Sequence, residues 1–385
     1  EDLITEENMV VTISHQGYIK RTPSSTYRAQ RRGGKGLKGA KTEDEDPIEH
    51  LFLASTHDYL LVFTNRGKVY WIKVYDLPQL ARESRGRAIV NLLNFAEGEK
   101  IAECRAVRDF SLQDHYLMMA TRRGIVKKTP LAQYGRPLKG GIIAIKLRED
   151  DELVDVVVTK PGDEVMLTTS KGMAIRFNQA NARPMGRNTS GVKGIRLTAG
   201  DHLVGMVVAN PEATLLTVCQ LGYGKRTPFG ANSPELPGEA VEDAMLDDDT
   251  AESQVAEAAS PEGEDEGDEA SSSHRYRTQG RGGKGIRDIK TTERNGPVIG
   301  IASVRDDDEV LMITAGGKLQ RIAAGEISVI GRNTQGVRIM SLDEGDTLAA
   351  IVRVPREETP EKAEAADETG GGPSEIPPAP EAQAE

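Results

Sequence analysis

The run Gln30-Arg31-Arg32-Gly33-Gly34-Lys35-Gly36 places three cations and three glycines within seven residues. That composition suits a polyanionic backbone at close range. Glycine lets main-chain N–H groups reach a phosphate with no Cβ in the way, and successive N–H groups can form an anion-cradling nest. Guanidinium and ammonium groups neutralise phosphate charge, and Arg can bind it as a bidentate fork. A second run, Gln279-Gly280-Arg281-Gly282-Gly283-Lys284-Gly285, repeats the pattern with Gly280 in place of an Arg.

Further cations recur at a fixed offset from a set of turn glycines, Gly17, Gly67, Gly124, Gly172, Gly222 and Gly317. Four residues after each come Arg21, Trp71, Lys128, Arg176, Arg226 and Arg321, basic in five of six. Lys20, Lys127 and Lys225 stand one residue earlier. The polar loops that follow carry Arg85 and Arg87, Arg136 and Lys139, Arg187 and Lys193, Arg281 and Lys284, and Arg332 and Arg338. Acids gather instead at the other turn of each unit: Glu97 and Glu99, Glu149 to Glu152, Asp201, Asp306 to Glu309, and Asp343 to Asp346. One rim is therefore expected to be basic and the opposite one acidic. All the loop cations except Arg338, together with the strand cations, make up the expected contact set for a nucleic-acid backbone.

The elements that must position these groups repeat six times. Each unit reads as a hydrophobic strand, a turn ending in Gly, a second strand, a Gly/Arg loop, a third strand, an acidic turn and a fourth strand. The turn glycines are separated by 50, 57, 48, 50 and 95 residues, so the last gap holds one unit and an insertion. Four short strands in a period of about 40–50 residues mark a propeller blade. Unit two shows the runs 59–64, 68–73, 88–93 and 101–107; unit three shows 116–121, 125–129, 142–147 and 153–159. The chain reads as all-β, with blades near 9–57, 58–107, 115–159, 163–209, 213–304 and 308–354 in one domain spanning 1–355.

Charge supports this division. The formal net charge of −11 conceals two acidic segments. Pro234 to Ser271 holds 15 acids and no Lys or Arg, and Glu357 to Glu385 holds 9 acids against Lys362 alone. Setting both aside leaves a body of net +12. Segments 230–273 and 356–385 have the composition of disorder, with too little apolar surface to offset chain entropy. The first falls where the 95-residue gap requires an insertion.

A basic ring on a disc is a track for bent double-stranded DNA, whose elastic cost distributed phosphate contacts must offset. With no recognition helix, zinc finger or aromatic platform in the sequence, base-specific and single-strand readout are disfavoured. The six His are scattered (His15, His50, His57, His115, His202 and His274), with no metal-ligand spacing and no nucleophile–base pair. Cys104 and Cys219 sit in strand-like runs of different units and read as buried thiols. The opening at Glu1, without Met, signal peptide or long apolar span, suggests a piece of a longer cytosolic protein.

These residues resemble a known family. The run Gln30–Gly36 matches the seven-residue box of the DNA gyrase A C-terminal domain, part of a bacterial type IIA topoisomerase. The opening Glu1-Asp2-Leu3-Ile4-Thr5, the phrase Val11-Thr12-Ile13-Ser14-His15-Gln16-Gly17-Tyr18 and Gly331-Arg332-Asn333-Thr334-Gln335-Gly336-Val337 are similar to that family too. The resemblance implies a six-bladed β-pinwheel of four-stranded antiparallel blades that exchange a strand with their neighbours. It implies positive-sense wrapping of duplex DNA around the rim, which presents a segment for strand passage so that the enzyme introduces negative supercoils. It also implies that the box loop closes the first blade against the last. ATP, Mg and the cleaving Tyr would belong to other parts of an A2B2 enzyme, formed by the gyrase A and gyrase B polypeptides. This chain would then have no cofactor, metal or turnover of its own, and as an isolated domain it would be a monomer in the bacterial cytoplasm, associated with the nucleoid. The acidic insertion departs from the family's short loop and is expected to tune wrapping. The alternatives are the equivalent domain of topoisomerase IV, which typically has fewer blades and a degenerate box, or a propeller that binds acidic proteins.

Overall fold

The computed structural model describes residues 1–25, 46, 48–81, 83–233, 274–316 and 318–354. The box run, the acidic segments from 234 to 273 and from 355 onward, and Gly317 lie outside the described residues. Among the described residues, Val, Ile, Leu and Thr runs broken by glycine turns form twenty-three strands, joined by turns and short 3₁₀ elements. The first unit holds β1 (Asn8–Ser14), β2 (Tyr18–Pro23) and β3 (Ile48–Ser55). The second holds β4 (Tyr59–Thr64), β5 (Lys68–Lys73), β6 (Arg87–Ala88) and β7 (Ile101–Val107). The third holds β8 (Tyr116–Thr121), β9 (Ile125–Pro130), β10 (Ile142–Ile143) and β11 (Leu153–Thr159). The fourth holds β12 (Glu164–Thr169), β13 (Met173–Asn178), β14 (Val192–Lys193) and β15 (Leu203–Val208). The fifth holds β16 (Thr214–Cys219), β17 (Tyr223–Pro228), β18 (Ile286–Arg287) and β19 (Val298–Val304), and the sixth β20 (Glu309–Thr314), β21 (Leu319–Ala323), β22 (Val337–Arg338) and β23 (Leu348–Val354).

Six antiparallel sheets result, ordered β3-β1-β2-β6, β10-β5-β4-β7, β11-β8-β9-β14, β15-β12-β13-β18, β19-β16-β17-β22 and β21-β20-β23. The inner strands β3, β7, β11, β15, β19 and β23 pack against one another in turn, and β23 meets β3 to close the circle. The outer strand of each of the first five sheets comes from the next unit, so the blades interlock. In units two to six the third run, which the sequence reads as a full strand such as 88–93 or 142–147, pairs over two residues only. Beyond Ala88 the chain turns into a 3₁₀ element over Ile89–Asn91. Among the described residues the sixth sheet has three strands, with β21 at its outer edge.

The core lies between the sheets. In the first five units the hairpin pairs, such as β8–β9 or β12–β13, are largely buried on both faces because a neighbouring blade covers each side. Aliphatic side chains dominate; Met118, Val165, Leu167 and Ile175 fill one such layer. Where the chain enters an outer strand it passes through a left-handed glycine. Gly191 has φ +96°, and a Cβ there would lie 2.3 Å from the Val126 carbonyl oxygen. Gly285 is held the same way, against the Ala174 carbonyl. Gly191→Ala is expected to destabilise the fold by about 1–3 kcal/mol through backbone strain. Urea unfolding with an unchanged m value would check this; no loss of stability would mean that the loop adapts freely.

Candidate nucleic-acid interface

The recurring strand cations do not form a rim. Lys127 and Lys225 have no exposed surface, Arg176 is 1% exposed and Arg226 is 3% exposed. Lys20, Lys128 and Arg281 are also buried. This corrects the sequence reading for Lys20, Lys127, Lys128, Arg176, Lys225, Arg226 and Arg281 as DNA contacts. Their positions sit on strands or loops sandwiched between blades, and each spends its donors internally.

The position four residues after the turn glycine works as a latch to the next blade. Arg21 Nε donates to the Leu77 carbonyl at 2.9 Å, and Lys128 Nζ to Gln179 O at 3.1 Å. Arg176 Nη1 reaches Tyr276 O at 3.0 Å, and Arg226 Nε reaches Ile327 O at 3.0 Å. Trp71, the exception to the basic pattern, performs the same act: its Nε1 donates to Tyr134 O at 2.8 Å. What recurs is an N–H donor with a long apolar stem. Arg321, in the last unit, binds Glu309 of its own sheet instead.

The position one residue earlier holds the polar loops from behind. Lys127 Nζ donates to Ala144 O at 2.5 Å, Gly186 O at 3.2 Å and Arg187 O. Lys20 Nζ donates to Ala81 O and Ser84 O. Lys225 pairs with Asp288 at 3.0 Å, and the Asp288 carboxylate also accepts from Thr217 and Tyr276, all of it sealed from water. Arg176 and Glu164 form a second sealed pair at 2.5 Å. In such sites a charge is tolerated only because every partner is in place.

A third brace precedes the outer-strand glycine by four residues. Arg187 Nη1 donates to Ile143 O at 3.1 Å, Arg281 Nη1 to Lys193 O at 2.7 Å, and Arg332 Nη1 to Arg287 O at 2.9 Å. Each ties a loop to the outer strand of the preceding sheet, and in this set Arg187 and Arg332 remain partly exposed.

With these groups used internally, the exposed cations concentrate on the outer edge. The outward residues of the five outer strands are Arg87, Ile143, Lys193, Arg287 and Arg338, four of five basic. Arg85, Arg136, Lys139 and Lys284 are exposed in the adjoining loops. Arg287 was missed by the sequence reading and Arg338 left out of its contact set; aligning each unit on its loop glycine places a cation one or two residues after it in four of the five. Arg294 was missed as well. It and Arg338 both donate to the Tyr223 hydroxyl, each at 3.2 Å, and these bonds, Arg294 first, pull the phenol below its usual range.

The turn acids are partly structural too. Asp151 Oδ1 accepts from Arg123 N and Glu152 N, and Asp201 Oδ1 from Lys171 N and His202 N. Asp346 repeats the arrangement with Gly316 N and Thr347 N. These carboxylates staple the hairpin turns, and cations such as Arg66 and Lys171 share that side, so it is mixed rather than acidic. Cys104 and Cys219 are buried free thiols, and no cluster of metal-ligating side chains occurs among the described residues.

A circle of interlocked four-stranded units with a basic outer edge defines a propeller-class body whose outer strands are swapped. The chain belongs to the DNA gyrase C-terminal domain, beta-propeller family, whose profile matches residues 8–55, 58–108, 115–160, 163–210, 272–305 and 308–355. It is 42% identical over 354 residues to the A subunit of DNA gyrase from Escherichia coli K12, a match that covers 92% of this chain and 35% of the relative. The chain thus spans little more than a third of the curated relatives it matches. A solved DNA gyrase A C-terminal domain matches with TM-score 0.64 at 26% identity, covering 91% of this chain and all of that one. The C-terminal domain of DNA topoisomerase IV shares the fold, with TM-score 0.67 at 23% identity over 91% of this chain and 94% of that one.

The buried lysines generate a pH test. Burial pushes the Lys127 ammonium down to about 7, with the Arg187 charge a smaller cause, from the ordinary 10.5. Between those values the folded chain binds fewer protons than the unfolded one, so this group makes stability rise with pH through that window. Lys127→Met is expected to flatten the rise, measured by urea titration at pH 7, 8 and 9. An unchanged slope would show that Lys127 keeps its proton in the fold.

Proposed function

We propose that this chain binds duplex DNA without sequence preference, bends it around the outer edge in a positive sense, and thereby lets DNA gyrase introduce negative supercoils. The observation that carries the reading is the row of exposed cations on the swapped outer strands, Arg87, Lys193, Arg287 and Arg338. Such a row meets a curved polyanion at intervals along its backbone, and the braces from Arg281 and Arg332 hold the strands that carry Lys193 and Arg287. Arg85, Arg136, Lys139, Lys284 and the half-buried Arg187 and Arg332 extend the track. The remainder of gyrase A, together with gyrase B in an A2B2 assembly, would supply cleavage, ATP and Mg. No helix among the described residues is long and apolar enough to cross a membrane, and the site of action proposed is the bacterial cytoplasm.

The box would serve both closure and charge. In sequence, Gly36-Leu37-Lys38 repeats Gly191-Val192-Lys193, Gly285-Ile286-Arg287 and Gly336-Val337-Arg338. The last three enter outer strands β14, β18 and β22, and β21 is the outer edge still lacking such a partner among the described residues. The box itself lies outside the described residues, and the family resemblance implies that it closes the first blade against the last. In sequence, Arg32 stands four residues before Gly36, as Arg187, Arg281 and Arg332 stand before their glycines, which leaves Arg31 and Lys35 as the cations proposed for phosphate. Replacing Arg31, Arg32 and Lys35 with Ala should lower the salt dependence of duplex binding by about 2 in log–log slope, at roughly 0.9 per phosphate. The linking-number shift after ligation of nicked circles should fall more steeply than affinity. Unaltered topology in that variant would remove the box from the wrapping function.

The insertion and the tail carry negative charge able to compete with phosphate for the same edge. Deleting residues 235–270, or the tail from 357, is expected to raise duplex affinity at fixed salt. If neither deletion does so, the segments have no part in tuning the wrap.

A further inference from the structure

In the third unit the basic edge carries apolar side chains. In the third unit the loop reads Arg136-Pro137-Leu138-Lys139-Gly140, and Leu138 is 62% exposed. Ile143, the outward residue of β10, is 45% exposed where its counterparts in the other outer strands are basic. The loops at the same place in units four, five and six read Arg187-Asn188-Thr189-Ser190, Arg281-Gly282-Gly283-Lys284 and Arg332-Asn333-Thr334-Gln335, with no apolar side chain. Arg136 and Lys139 are exposed.

The loop is held, not loose. Gly141 N donates back to Leu138 O at 3.0 Å, closing a turn, and Lys68 Nζ donates to Gly140 O at 3.3 Å. Pro137 restricts φ just before the tip. From the next unit, Arg187 Nη1 grips the Ile143 carbonyl. An exposed leucine on a fixed turn between two exposed cations is poorly suited to water and well suited to a polyanion with an apolar interior.

We propose that Leu138, supported by Ile143, is a wedge that enters between base pairs of the wrapped duplex and creates one localised kink per bound molecule. The inference rests on the wrapping reading and adds to it. Arg136 and Lys139 hold the flanking phosphates while the leucine partly unstacks a step, an exchange of stacking for sharper bending that apolar side chains make in other bent complexes. Pyrimidine–purine steps, which unstack most readily, are the preferred point of entry. A protein partner is disfavoured as the occupant because two side chains ringed by cations make too small an apolar patch for a stable protein interface.

The test uses this 385-residue chain on a duplex long enough to wrap, with TA steps along its length. Permanganate, which oxidises unstacked thymines, reads the kink, and the linking-number shift of ligated circles is measured in parallel. The wild-type chain is expected to raise thymine reactivity by about tenfold at one step per bound molecule, given unstacking of the usual cost. Leu138→Ala should return that reactivity to the level of free duplex and reduce the linking-number shift, with the salt slope unchanged because no cation is lost. Leu138→Lys should also abolish the reactivity while preserving affinity. The position is exposed, so both variants should unfold in urea as wild type does. A wild-type chain that shifts linking number without any reactive thymine overturns the wedge alone. A chain that shifts no linking number overturns wrapping itself. Variants with unchanged reactivity and topology that lose association with the other parts of the gyrase assembly would make the patch a protein contact and likewise overturn the wedge.

Discussion

Burial of the hairpins of the first five units on both faces is the constraint from which the rest of this structure follows. A blade whose middle strands are covered on two sides has no solvent for its polar side chains, so every donor there must find an internal acceptor. For its buried side-chain nitrogens the chain meets that demand the same way in five successive units. A nitrogen at one register of the second hairpin strand crosses to a carbonyl in the strap of the following blade. Arg21, Trp71, Lys128, Arg176 and Arg226 differ in charge and shape but share the donor and the reach. Directional bonds of this kind fix the rotation between blades, which apolar packing alone would leave free to slide.

The same constraint sorts the cations by task. Those on the middle strands hold the frame, those in the loops brace the outer strands, and those on the outer strands are left to meet solvent and ligand. Lys127 shows the dependence between the layers: its ammonium grips the carbonyls of Gly186 and Arg187, and the Arg187 side chain in turn grips the outer strand bearing Ile143. A change deep between two sheets is thereby felt at the edge without any contact to a bound duplex.

The all-β class and the sixfold period were legible because turn glycines and Val/Ile runs recur at regular spacing. Strand exchange could not be read from periodicity, since a two-residue strand such as Val192–Lys193 carries none; only the family resemblance suggested it. The strand cations misled because a recurring charge normally marks a wet surface. Two signals pointed the other way. Lys127 and Lys128 are adjacent, so one of them must face inward on any strand, and both do when both faces are covered. Trp71 at the Arg position showed that the site tolerates an indole, which a phosphate-binding surface would not select. Most of the loop cations are exposed, because loops at an outer edge have solvent on one side whatever the packing beneath.

The exchange of outer strands has one more consequence, for what holds the chain as a single object. The acidic stretch from 234 to 273 enters between β17 and β18, yet β17 lies in the fifth sheet and β18 completes the fourth. A protease cut there would separate the polypeptide into two pieces that each own part of both sheets. The halves would stay clasped, as β18 and Tyr276 remain lodged against Met173–Asn178 and Lys225, and the nick would be visible in a denaturing gel before it was visible in the shape of the molecule.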